Sequence, residues 1–167
     1  YDNPGLATLL PGERMVGFRF RAGTEFDSDR LLTAARDQDP NSSRVAQAIL
    51  DHTKLSNSVE EALACISEHR RSLKQQARSL GVSPRTLQRL LISKTGRPPR
   101  FWMSIVRVRN AGRTLTTSSN LADHAAAHGY SDQSHMTREF KRWFCVTPSK
   151  LLASNLVSNL LAQPGYD

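Results

Sequence analysis

The spacing of apolar side chains changes character along the chain. Val16, Phe18 and Phe20 alternate with Gly17, Arg19 and Arg21, the period of two that predicts a half-buried strand. Two short stretches with helical spacing follow, residues 29–36 and 43–52, on either side of the breaker run Asp37-Gln38-Asp39-Pro40-Asn41. From Ser58 to about Leu152 the pattern stays helical, with turn signals at 81, 96–99, 116–120, 129 and 145–148. The expected fold is therefore mainly α. Residues 1–57 read as the α+β tail of an upstream domain with a helical connector, 58–153 as an all-helical domain, and 154–167 as a C-terminal tail.

The helical region contains an internal repeat. Leu73, Ala77 and Gly81 recur 48 positions later as Leu121, Ala125 and Gly129. Past the turn the offset becomes 49, pairing Leu87 with Met136, Arg89 with Arg138, Leu91 with Phe140 and Pro99 with Pro148. Each copy reads as helix, glycine turn, helix, which is how a helix-turn-helix is built. In the first copy Gly81 suits a left-handed helix end, Ser83 a cap and Pro84 a first turn; in the second, Gly129 ends a helix and Asp132 caps its successor.

The second helix of each copy carries the chemistry. Leu87, Leu90 and Leu91 share an apolar face by i, i+3, i+4 spacing, which leaves Arg85, Gln88, Arg89 and Ile92 mostly on other faces. In the second copy Met136, Phe140, Trp143 and Phe144 form the stripe, leaving Gln133, Ser134, Thr137, Arg138 and Lys141 outward. Arginine grips guanine O6 and N7 with two hydrogen bonds, glutamine does the same for adenine N6 and N7, and Ser or Thr serves either. One such helix is ordinarily just a solvated face. Two copies at matched positions point to base reading.

Charge sharpens this. The net charge is +8, and it is unevenly spread: from Val59 onward 16 Lys and Arg stand against 7 Asp and Glu, a net of +9, whereas residues 1–58 carry 7 against 8. A polyanionic partner for the helical part is implied. The 38% apolar content supports a modest core. No apolar run of 18 residues spans a bilayer and no signal-like start is present, so a soluble, cytoplasmic chain is expected. The abrupt entry at Tyr1 reads as a fragment of something longer. Cys65 and Cys145 lie 80 positions apart without CxxC or His/Cys clustering, so neither a disulfide framework nor a zinc site is expected.

These residues resemble the double helix-turn-helix domain of AraC/XylS-type transcription regulators. The first match is Leu80-Gly81-Val82-Ser83-Pro84-Arg85-Thr86-Leu87-Gln88-Arg89-Leu90 with Lys94-Thr95-Gly96-Arg97-Pro98-Pro99. The second is Leu121-Ala122-Asp123, then Gly129-Tyr130-Ser131-Asp132-Gln133-Ser134-His135-Met136-Thr137-Arg138-Glu139-Phe140-Lys141-Arg142, closing with Val146-Thr147-Pro148. Together they cover residues 59–153. The resemblance implies seven helices, with a long central helix over roughly 99–116 holding two DNA-reading units on one face. At 18 residues that strut is about 27 Å long, against a major-groove repeat of about 34 Å.

By the family's pattern, Arg85, Gln88 and Arg89 would face one groove, and Gln133, Ser134, Thr137 and Arg138 the next, in double-stranded DNA. Lys74, Arg97, Arg100 and Lys141 are the expected phosphate contacts. The resemblance adds a bacterial setting, activation of transcription and RNA polymerase as a partner. It leaves any small-molecule effector to an upstream region, because residues 16–23 look like the end of the β-rich sensor domain of one branch. No cofactor is implied.

Some positions depart from the family. Leu91 stands where an aromatic is common and Ile92 where a polar or basic residue is usual, so weaker contact by the first unit is expected. Cys145 takes the helix-ending place that Gly96 holds in the first copy, implying strain or a different turn. Gly112 inside the central helix costs about 1 kcal/mol relative to Ala and suggests close packing or looseness.

Two other readings use the same residues. An enzyme would draw on His124 and His128, spaced i, i+4 as metal ligands often are, but the pair lacks the intervening Glu of metal hydrolases and Asp123 stands before it. A partly exposed helix surface accounts for the pair better. His135 reads as a recognition-helix or packing residue, no Ser/His/Asp order or phosphate-cradling glycine loop stands out, and no catalytic role is expected. A protein-interaction module with incidental positive charge is the second alternative. Trp102 and Trp143 read as core anchors rather than stacking platforms.

Overall fold

The structure, a computed structural model, describes residues 17–68, 71–117 and 120–153. Strand β1 (Thr24–Phe26) is followed by α1 (Ser28–Ala35), α2 (Ser43–His52) and β2 (Thr53–Leu55). Seven helices come next: α3 (Asn57–Ser67), α4 (Leu73–Ser79), α5 (Pro84–Thr95), α6 (Pro99–Arg113), α7 (Leu121–Ala127), α8 (Gln133–Phe144) and α9 (Pro148–Leu152), with a 3-10 turn at Leu115–Thr117 after α6.

The strand lies elsewhere than the alternation predicts. Val16 falls outside the described residues, and residues 17–21 form no strand. The extended segment is β1, antiparallel to β2 with Thr24 opposite Leu55. A strand forms only where a partner supplies hydrogen bonds, and β2 offers three residues straight after α2. Phe20 stacks on Phe26, ring centroids 5.6 Å apart. The small sheet sits on α3 and α5: Arg21 pairs with Glu60 and Glu25 with Lys94. Gly23 is needed at this contact, since its φ is +80° and a Cβ would lie 2.5 Å from Val59 Cγ1. The expected tail 154–167 lies outside the described residues.

Both repeat copies fold by the same devices. Ser72 caps α4 in a capping box with Gln75, and Asn120 caps α7. At the turns, the Val82 amide donates to Ala77 O at 3.0 Å and the Tyr130 amide to Ala125 O at 3.0 Å. Ser83 then caps α5 and Asp132 caps α8. At the far ends Gly96 and Cys145 are both left-handed, with φ 67° and 59°, and donate to Ile92 O and Lys141 O. An added Cβ at Gly96 would meet nothing within 4 Å. The shared turn thus rejects a side chain by backbone strain and not by crowding, so Cys145 keeps the same turn at a cost of about 1–2 kcal/mol.

Two cores result, one on each half of α6. Val59, Ala62 and Ile66 of α3, Ala77 of α4 and Leu87 and Leu91 of α5 pack on Trp102, Ile105 and Val106. Ala125, Tyr130, Met136, Phe140 and Leu151 pack on Val108, Ala111 and Leu115. α6 runs 15 residues, about 22 Å, ending at Arg113 and not near Thr116. Its last turn is drawn in by Thr114, whose amide donates to Asn110 O and whose hydroxyl does the same at 3.0 Å. Gly112 is buried, consistent with close packing.

The two buried polar side chains among the described residues occupy the same repeat position, one before the buried alanines Ala77 and Ala125: Gln76 at 0% exposure and His124 at 6%. The expectation of a partly exposed surface is corrected at His124, whereas His128 is half-buried. His124 Nε2 lies 2.8 Å from Ala111 O, and since a carbonyl has no proton the ring donates. The His128 ring lies tilted against that of His124, centroids 4.5 Å apart, with its Nε2 2.9 Å from Thr114 Oγ1. The pair clamps α7 to the end of α6. Gln76 makes no such bond; neither its Nε2 nor its Oε1 has a protein partner. Burying an unpaired amide costs about 1–3 kcal/mol. Gln76→Leu should therefore raise the unfolding free energy by about 1–2 kcal/mol in urea titration, while His124→Leu lowers it by about 1–3 kcal/mol. Destabilisation by Gln76→Leu would mean that the amide is satisfied, by a bound water for instance.

Candidate nucleic-acid interface

Helix α5 turns Leu87 and Leu91 into the core and half-buries Leu90. Arg85, Gln88 and Arg89 are exposed on the other side, together with Ile92. Helix α8 buries Met136 and Phe140 and half-buries Trp143 and Phe144. Its exposed residues are Gln133, Ser134, Arg138, Lys141 and Arg142. At 100° per residue, Ser134, Arg138 and Lys141 form the row opposite the buried pair, whereas Thr137 lies at its flank and is half-buried. The offset of 49 matches Arg85 with Ser134, Gln88 with Thr137 and Arg89 with Arg138. Of the expected phosphate contacts, Lys74, Arg100 and Lys141 are exposed. Arg97 is half-buried, its guanidinium 5.2 Å from the Phe101 ring centroid.

What holds α8 against α6 was not visible as a motif. The contacts run antiparallel: Arg107 lies over the Tyr130 ring at 5.5 Å, Ser104 bonds Glu139, and Phe101 meets Trp143 edge-on at 5.2 Å. Trp143 Nε1 lies 3.2 Å from both Ser104 Oγ and Glu139 Oε2. Arg142 covers the Trp143 ring at 5.2 Å and pairs with Glu139 at 3.7 Å. Trp143 packs against both cores, so the expectation of a core anchor is extended to a bridging one. A Trp in the last turn of α8 with Glu four residues before it is the trace this joint leaves in the sequence.

The turn before α8 is braced as well. His135 is half-buried and edge-on to Tyr130 at 5.2 Å, with Ser131 Oγ 3.2 Å from its Nδ1, so its ring packs the turn. Burial pushes the Tyr130 phenol above its ordinary range against the pull of Arg107. Asp132 accepts from the His135 amide at 2.7 Å and from the Ser131 hydroxyl at 3.1 Å, and these bonds hold its carboxyl below the ordinary range.

Residues 76–154 match the family described as Helix-turn-helix domain. The HTH-type transcriptional regulator ExsA of Pseudomonas aeruginosa is 35% identical over 75 residues, 44% of this chain and 27% of that protein. The chain thus matches about a quarter of that relative's length. A transcriptional regulator with an AraC-type DNA-binding domain from Chromobacterium violaceum superposes with a TM-score of 0.51 at 27% identity, covering 63% of this chain and 92% of that one. The helical region is thus similar in sequence and fold to an AraC-type DNA-binding domain. The C-terminal domain of AraT, a response regulator from Geobacillus stearothermophilus, shares the fold at TM-score 0.51 and 24% identity, covering 60% and 87%. Residues 76–154 thus form a helix-turn-helix domain similar to those of transcription regulators. No described helix is long and apolar enough to cross a membrane.

The cap of α8 has a pH signature. Because Asp132 is depressed in the folded state, its contribution is present above the ordinary carboxyl value of 3.8 and is lost as pH falls through the lower folded value. Asp132→Ala should lower Tm at pH 7, with the gap to the parent closing below about pH 4. A gap of equal size at pH 2.5 would contradict the cap.

Proposed function

We propose that the chain is a transcription regulator that binds double-stranded DNA sequence-specifically, reading two successive major-groove segments with α5 and α8, and that residues 58–153 are the unit that does so. The observation that carries this is the duplication: arginines at matched outward positions, Arg89 and Arg138, on helices built by the same caps and turns. Arg85 and Gln88 accompany the first; Gln133, Ser134 and Thr137 accompany the second, with Thr137 offering its hydroxyl from the flank. Lys74, Arg100 and Lys141 contact phosphates, and Arg97 does so from its seat on Phe101. The strut contributes about 22 Å, and each recognition helix stands off its axis by about 8–10 Å. A spacing of about one turn of DNA is within reach.

The alternative, a protein-interaction module, predicts weak dependence on salt, whereas neutralising several phosphates makes affinity fall steeply with ionic strength. A cytoplasmic setting fits this work. Activation rather than repression, RNA polymerase as a partner and an upstream effector site rest on the family resemblance alone, and the reading assigns the chain no reaction.

A bidentate arginine contact discriminates by about 1–3 kcal/mol. Arg89→Ala and Arg138→Ala should each weaken specific binding by roughly 5- to 150-fold and relax base preference in separate halves of the site, the Arg138 effect being at least as large. Binding of both variants to a panel of single-base site variants decides it. Losses spread evenly over the panel, with a salt slope smaller by about one, would make these residues backbone clamps.

A further inference from the structure

Ile92 does not belong to the apolar face of its helix. Leu87 and Leu91 are buried at 1% and 0% exposure, whereas Ile92 is 45% exposed. At 100° per residue it lies about 120° round from the middle of that buried face. It follows Arg89 by three residues, Gln88 by four and Arg85 by seven, so it continues the exposed row by one turn. Its equivalent in α8 is Lys141. The equivalence is structural, since Ile92 O accepts the Gly96 amide and Lys141 O accepts the Cys145 amide at the matched helix ends.

A single exposed isoleucine is ordinary. In a row of base-competent side chains it has a definite chemistry. It has no donor for a phosphate or for a base acceptor, and pressing it on a polar base edge would strip water from that edge without replacing the bond. Thymine is the base whose major-groove edge presents an apolar group, the C5-methyl. A β-branched side chain, stiff at χ1, loses little freedom in packing on it.

We propose that Ile92 contacts the C5-methyl of a thymine and sets base preference at one position of the half-site read by α5. The proposal rests on the reading of α5 as a major-groove helix and adds a base to it. The matched Lys141 gives the second half-site no such preference.

The test uses the 167-residue chain and the duplex recovered by selection from a random-sequence pool. Each thymine in the half-site that depends on Arg89 is replaced in turn by deoxyuridine, which removes the methyl alone. One replacement should weaken binding about fourfold, the worth of one buried methyl. Ile92→Ala should bind the parent duplex more weakly by a similar factor and be indifferent to that replacement. Ile92→Lys should also lose the effect, while its salt slope steepens by about one. The proposal is overturned by a half-site without thymine, by indifference of the parent chain to every deoxyuridine, or by an effect that survives in Ile92→Ala. If the underlying reading fails, no duplex is enriched or salt leaves affinity unchanged for parent and variants alike, which overturns both.

Discussion

Two helix-turn-helix units on one chain can read one duplex together only if their separation is fixed, and here that depends on Trp143. Its ring closes both cores and meets Phe101, while its indole N–H reaches Ser104 and Glu139. Glu139 is half-buried and also takes the Arg142 guanidinium. Apart from this joint, α8 is fixed to the first unit indirectly, through the packing of Met136 and Phe140 on the far half of α6. With the joint, the last turn of α8 is held against the first turns of α6, the same end at which Trp102 receives α5 through its bond to Thr95.

The duplication accounts for most of the remainder. A helix, a left-handed glycine, a capped second helix and a proline-started successor occur twice, with equivalent amide-to-carbonyl bonds at each turn. Where the copies differ, the difference has a local cause. His124 has the end of α6 to bond, and Gln76 has no counterpart. Cys145 retains the turn that Gly96 makes freely, because the space there is open and only the backbone is strained. The first recognition helix ends its exposed row in Ile92, the second in Lys141.

Much of this is legible in the residues because it is local. Leu73, Ala77, Gly81 and their partners mark the repeat, Ser83 and Asp132 announce their caps, and helical spacing sorts Leu87 and Leu91 from Arg85 and Arg89. What is not legible depends on contacts distant in sequence. The alternation at Phe18 and Phe20 promises a strand, but the strand forms at Thr24–Phe26, where β2 supplies hydrogen bonds. The burial of His124 depends on the carbonyl of Ala111, thirteen residues away. The hub at Glu139 depends on Ser104, thirty-five residues away. α6 stops at Arg113, where the chain tightens into the 3-10 turn Leu115–Thr117, which no periodicity reveals. Thr137 is half-buried because the outward row of α8 is narrower than the set of polar residues on it.

On the proposed reading, α5 and α8 stand at a single spacing, fixed by the two cores on α6 and by the Trp143 joint. Affinity for the selected duplex, measured after inserting five or ten base pairs between its two half-sites, tests that claim most directly. A fixed spacing predicts that both insertions reduce binding to that of one half-site. Five base pairs turn the second half-site to the far face of the duplex, and ten move it about 34 Å further along the same face. Full affinity retained after either insertion would show that the units move independently, and would contradict the account.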